Sequence, residues 1–167
     1  MGRLLVRDLA GLWPARLALV WAGVSIGVAF VATPAKFLAP SLSLPVALEV
    51  GRQTFRVYNG LEIGLAVLAV ALALGSAERR RWLLAFAVPV AVVAAQALWL
   101  IPALDARVLM LQAGEAPARS HLHAFYIAAE AAKVLTLLGA ALIAGDARRR
   151  ALVRRSSWVA ASPLHHS

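Results

Sequence analysis

The chain of 167 residues contains no cysteine. That excludes a disulfide framework, thiol chemistry and a thiolate metal site. Acidic residues are also scarce: eight Asp and Glu stand against seventeen Lys and Arg, for a formal net charge of +9. Such an excess raises nucleic acid as a partner, but the arginines do not spread over a face. They gather at the ends of apolar runs, as in a membrane protein held by its flanks. The expected partner is therefore the lipid bilayer and not nucleic acid. The chain has four histidines: His121 and His123 fall at one helix start, His165 and His166 in the tail. A bis-histidine haem in a bundle draws its ligands from two helices, so a haem or redox protein ranks only third among the expected functions. The Gly-rich phosphate loop, the nucleophile elbow and the metalloprotease signature are missing. No catalytic residue, cofactor or metal is predicted, and enzymatic activity is the less favoured reading.

Apolar side chains are abundant. They make up 62% of the chain, against roughly 45–50% in an ordinary soluble domain. A water-facing globule of this size has no place for that excess. Four stretches approach the roughly 20 residues needed to cross a bilayer: about 17–38, 58–76, 82–102 and 123–145. The predicted fold is all-α, an integral membrane bundle of four transmembrane helices in a single domain. The second and fourth helices are expected to begin earlier, with Pro45 and Pro117 in their first turns, where a missing N–H costs nothing. Trp13, Trp82 and Trp99 lie near span ends, where indole rings favour the interface.

Arginines set the expected orientation. Arg3, Arg7, Arg16, Arg79, Arg80, Arg81, Arg148, Arg149, Arg150, Arg154 and Arg155 fall on one side; Lys36, Arg52, Arg56, Arg107 and Arg119 fall on the other. The positive-inside rule places both termini in the cytoplasm of a multi-pass protein of the cell (inner) membrane. The first span has the outline of a signal peptide, but the charged region before Leu17 is long, so it is expected to be retained. The basic tail, 146–167, suits an anionic leaflet.

The chain also matches itself at an offset of 68 residues. Pro34 falls on Pro102, Tyr58 on Tyr126, Glu62 on Glu130, and Arg80 and Arg81 on Arg148 and Arg149. The chain has only two tyrosines, so the shared Tyr-x-x-x-Glu is informative where Ala and Val matches are not. Two parallel helical-hairpin repeats are predicted, about 17–81 and 85–149, related by an axis along the membrane normal. Gly23 and Gly27, and Gly60 and Gly64, form G-x-x-x-G pairs, read as helix-packing positions.

Ionisable groups inside spans are costly and mark functional sites by default. On the fourth helix His123, Tyr126, Glu130 and Lys133 fall within an arc of roughly 80°. Tyr58, Asn59 and Glu62 share a face of the second, and Gln96 and Trp99 a face of the third. The duplication gives Glu62 the depth of Glu130, so Glu62, Glu130 and Lys133 are expected to meet inside the bundle. They would do so either as a self-neutralised structural cluster or as a polar site open to the outer face, binding a proton, a cation or a small polar substrate. Two function classes follow: a small transport-like or ligand- and ion-binding bundle, and a structural or interaction subunit of a larger membrane complex, with a homo-oligomer as a further option. The outer loops, about 39–54 and 103–121, are expected to be solvated surface, with Arg107 pairing with Asp105 or lipid phosphates.

The run Phe55-Arg56-Val57-Tyr58-Asn59-Gly60-Leu61-Glu62 resembles the start of a membrane helix in bacterial relatives of the transmembrane protein 205 family. These are small four-helix membrane proteins, mostly classed as a domain of unknown function. The shared feature is Phe-x-x-Tyr-x-Gly-Leu; Asn59 stands where eukaryotic members carry His. The resemblance covers about 17–145. It implies a membrane bundle and, loosely, efflux of toxic metal compounds, and it carries over no residue role.

Overall fold

The computed structural model describes residues 12–161. Arg3, Arg7 and the last six residues, with His165 and His166, lie outside the described residues, as do the side chains of Arg148, Arg154 and Arg155. All regular elements among the described residues are helical, and four helices are long and apolar enough to cross a membrane. We label them α1 (Trp13–Leu38), α2 (Leu44–Gly75), α3 (Arg79–Gln112) and α4 (Leu122–Ala161). The first three are the candidate spans themselves; in α4 the candidate span is Leu122–Ala147.

Local chemistry sets most of the ends. Pro45 sits in the first turn of α2, as expected. The tight turn to α3 is tied by Ser76 Oγ, which accepts from the Glu78 N–H at 3.2 Å, and by an Arg81–Glu78 ion pair at 2.6 Å. α3 runs well past Pro102, where the apolar run ends, and so occupies half of the expected outer loop. It stops at Gly114, whose φ of 81° is the left-handed conformation that glycine adopts without penalty. The Gly114 N–H bonds back to Leu111 O and the Glu115 N–H to Met110 O, closing a Schellman cap. Pro117 therefore lies in the connection, not in a first turn. α4 begins at Leu122, whose N–H is accepted by Ser120 Oγ at 3.1 Å.

α1 and α3 share a backbone irregularity. Each widens into a π-helical stretch, Ile26–Ala32 and Gln96–Leu100, directly ahead of Pro34 and Pro102. A proline inside a helix cannot donate to the carbonyl four residues back, and its ring collides with it. Widening the preceding turn moves that carbonyl aside. The Thr33 N–H then bonds to Val28 O, and the Ile101 N–H to Gln96 O. These two five-residue bonds stand 68 residues apart, the offset at which the sequence matches itself.

Each helix packs against two neighbours, α1 on α4 and α2, and α3 on α2 and α4. The apolar core fills one half of this square. Leu17, Ala18, Trp21 and Ala22 of α1 meet Ala66, Ala69 and Ala73 of α2, Trp82, Phe86 and Val93 of α3, and Leu137 and Ala141 of α4. This half adjoins Arg16, Arg79–Arg81 and Arg149–Arg150, and is called here the arginine end. Trp82 belongs to this core, 2% exposed and stacked on Phe86, and not to an interfacial belt. Trp13 and Trp99 are exposed, as an interfacial position requires. Outward-facing apolar side chains such as Val20, Val67, Leu84, Leu98, Leu135 and Leu142 leave a surface that water would not tolerate.

The packing glycines are corrected by the structure. Gly23, Gly27, Gly60 and Gly64 all face outward, and a Cβ built on any of them meets nothing within 4 Å. Alanine makes the close interior contacts, through Ala18, Ala22, Ala69 and Ala73, each fully buried.

Candidate functional site: a buried carboxylate layer under an open cavity

Directly beyond the core, toward the opposite end, lies a layer of polar side chains with almost no exposure. Glu62, Glu130, Lys133 and Gln96 are each at most 1% exposed, and Tyr58 and Tyr126 are 3% exposed. Helical spacing builds it. Tyr58 and Glu62 stand one turn apart on α2, and Tyr126, Glu130 and Lys133 follow one another down one face of α4. These helices sit on a diagonal of the square, so their inward faces meet at its centre.

Lys133 Nζ donates to both carboxylates, to Glu62 Oε1 and, at 2.6 Å, to Glu130 Oε1. It also lies 5.5 Å above the Tyr58 ring. The Tyr58 hydroxyl is within reach of Glu62 Oε1 at 2.9 Å and Glu130 Oε2 at 3.1 Å. One phenolic hydrogen thus has a carboxylate on either side. Gln96 Nε2 donates to Glu130 Oε1 at 2.7 Å, while its Oε1 has no partner. A donor pointed at each carboxylate is what a buried anion requires.

Two contributors were not expected. Trp21 Nε1 donates to Glu62 Oε1 at 2.9 Å, and Ser25 Oγ lies 3.4 Å from the same oxygen and 2.9 Å from the Tyr58 hydroxyl. The signal was present: Ser25 is the sole hydroxyl between Leu17 and Ala32, and Trp21 sits mid-span and not at an end. Two expected members lie elsewhere. His123 is exposed at the cavity mouth, because it precedes Tyr126 by almost one turn and falls above the packed region. Asn59 is half-buried on a neighbouring face, and its Oδ1 has no partner. Trp99 is 58% exposed while Gln96 is buried; the π turn separates their expected common face.

Above the layer the helices part around a cavity of about 600 Å³ that opens at the end away from the arginines. Phe30, Phe37 and Phe55 supply aromatic wall, Tyr126 and Glu130 the floor, and Lys36, Arg52, Arg107 and His123 line the upper part. Phe55 meets the Tyr126 ring edge-on, with centroids 4.9 Å apart. Asp105 pairs with Arg52 at 3.5 Å and Arg56 at 3.3 Å, and not with Arg107, for which it was one of two expected partners. The chain is thus sealed by packed core at one end, hollow at the other, and charged between.

With both glutamates ionised, the layer holds two negative charges against one positive. In so dry a place an unbalanced charge costs several kcal/mol, so the arrangement favours one further cation. Among the described residues no cluster of three His, Cys, Asp or Glu side chains is placed to hold a metal ion.

No family model, curated protein or solved structure matches the chain.

Proposed function

We propose that the protein is a multi-pass cell-membrane bundle, two duplicated hairpins with both termini cytoplasmic, that binds and passes a small solute or ion from the outer face. In this reading the cavity is the entry, and the Glu62–Glu130–Lys133–Tyr58 layer is the site that takes up a proton or a monovalent cation. One observation carries it: a cavity large enough for a small molecule ends on Glu130, one of two buried carboxyl groups that share a single ammonium. A cluster serving stability alone gains nothing from a cavity that reaches down to one of its carboxylates. The sequence match and the paired π turns support the duplication, and the arginine distribution supports the orientation. The likeness to the transmembrane protein 205 family agrees with a membrane bundle and adds no substrate.

The test is reconstitution into liposomes carrying an entrapped pH-sensitive dye. An imposed potential is expected to drive proton entry in the wild type and not in Glu130→Gln. Equal entry in the two, with both inserted and folded, would sink the reading.

A second reading has its own observation. The outward G-x-x-x-G faces of α1 and α2 have nothing over them in one chain, which suits an interaction subunit of a larger membrane assembly. Stoichiometric partners retained through mild solubilisation would favour it.

A further inference from the structure

The upper part of the cavity has a chemistry of its own, independent of the carboxylates beneath. Three basic side chains line it, Lys36, Arg52 and Arg107, with His123 beside them, and among the described residues Asp105 is the sole carboxylate at that level. Asp105 is already engaged by Arg52 and Arg56. Among the described residues Lys36 and Arg107 form no ion pair, although both are half-buried. Arg52 is the more enclosed, its side chain 19% exposed, and its Nε has no hydrogen-bond partner.

Lys36 is also placed. Its ammonium lies 5.0 Å above the Phe37 ring and against Gly51 on the facing helix, in space that a Cβ on Gly51 would occupy. Gly51 is a buried glycine in mid-helix, where the residue costs about 1 kcal/mol relative to alanine. That cost buys no turn and no unusual backbone; what it makes room for is the Lys36 ammonium. Around these charges the wall is aromatic and aliphatic.

We infer that the cavity mouth is a binding site for an amphipathic anion: one carboxylate, sulfonate or phosphate group held by Lys36, Arg52 and Arg107, on an apolar body lying against Phe30, Phe37 and Phe55. This names the solute class for the function proposed above and rests on that reading. The anionic group stays at the mouth beside the three basic side chains, and the cation belongs to the buried layer beneath, so the two occupy separate levels of one cavity. Free amphiphiles and the phosphate of a bilayer lipid share this chemistry.

Anilinonaphthalene sulfonate is the probe, titrated by fluorescence against the full chain in phosphatidylcholine nanodiscs, with empty nanodiscs as blank. N-phenylnaphthylamine, the same ring system without the sulfonate, is its neutral control. A saturable site for the sulfonate is expected. Lys36→Gln and Arg107→Gln should each weaken it about tenfold, the scale of one charge-assisted hydrogen bond. Gly51→Ala should weaken it too, with no change of charge and a helix that folds at least as well. Arg149→Gln, the same charge change at the arginine end, should leave it unaltered, and the neutral probe should be indifferent to all four. Displacement by dodecanoate but not by phosphatidylglycerol assigns the site to free solutes; displacement by phosphatidylglycerol assigns it to lipid phosphate. Absence of a saturable site, or equal losses in Arg149→Gln and Lys36→Gln, would overturn the inference. Mouth variants that bind the sulfonate like wild type, while Glu130→Gln still abolishes proton entry, would remove the anion site and leave the buried layer standing. Sulfonate binding with the predicted variant pattern, but no proton entry in the wild type, would do the reverse.

Discussion

Lys133 is the residue on which the buried layer turns, since it is fully buried and, among the described residues, is the sole cation bonded to Glu62 and Glu130. Lys133→Met should cost roughly 3–5 kcal/mol, because both glutamates then lose their counter-charge without access to water. Replacing all three charges, as Glu62→Gln, Glu130→Gln and Lys133→Met, should recover much of that loss, because no lone charge remains. Thermal unfolding in one detergent compares the three proteins; a Lys133→Met protein as stable as wild type would contradict the picture. Trp21→Phe probes the same layer from α1. It keeps most of the packing and removes the N–H to Glu62, so about 1–3 kcal/mol should go with it. The glutamates, the lysine, Gln96 and the tyrosines were legible in the sequence because ionisable groups in an apolar run have to find one another. Trp21 and Ser25 left only a faint mark, an indole and a lone hydroxyl within the span, because either group is cheap enough there to need no explanation.

At the scale of the helix, apolar length located four spans, but apolar length alone missed where α3 ends. Pro102 reads as a stop in sequence because proline breaks an ordinary helix. The π turn ahead of it removes the collision, and the helix continues to Gln112. Proline alone does not announce a π turn, since Pro89 sits inside α3 without one. The glycines teach a related lesson. G-x-x-x-G shows that one face of a helix is small, and it does not say whether that face looks inward. Here it looks outward, so Gly23→Ala, Gly27→Ala, Gly60→Ala and Gly64→Ala should each be neutral or stabilising, by up to about 1 kcal/mol in helix propensity. A dimer seen by cross-linking in the wild type and lost in these variants would show instead that a second chain covers the face.

For the molecule as a whole, the division into a packed half and a hollow half was not legible at all. Both halves are built on the same apolar helices, and which one closes depends on how the side chains of four helices interlock. The division can be checked without disturbing a native thiol, since the chain has none. Thr33→Cys and Ile127→Cys, on the cavity wall, should react with a membrane-impermeant maleimide added from outside. Ala69→Cys and Ala141→Cys, in the packed half, should not. Reaction at all four would mean the core is no seal.

The seal has an electrical consequence. In the reading proposed above, the hollow sits at nearly the potential of the solution it opens to, so almost the whole transmembrane voltage would fall across the plug from Leu17 to Val93. Each elementary charge carried through that thin plug exchanges roughly 2.3 kcal/mol at 100 mV. A charge that only reaches Glu130 from the open side crosses little of the field. Occupancy of the buried layer should therefore be set by concentration and turnover by voltage. In liposomes clamped with a potassium gradient and valinomycin, the half-saturating proton concentration on the open side should stay constant as the potential is stepped, while the maximal flux should change severalfold. A half-saturation that shifts with the potential would place the voltage drop above Glu130, and the dry barrier with it.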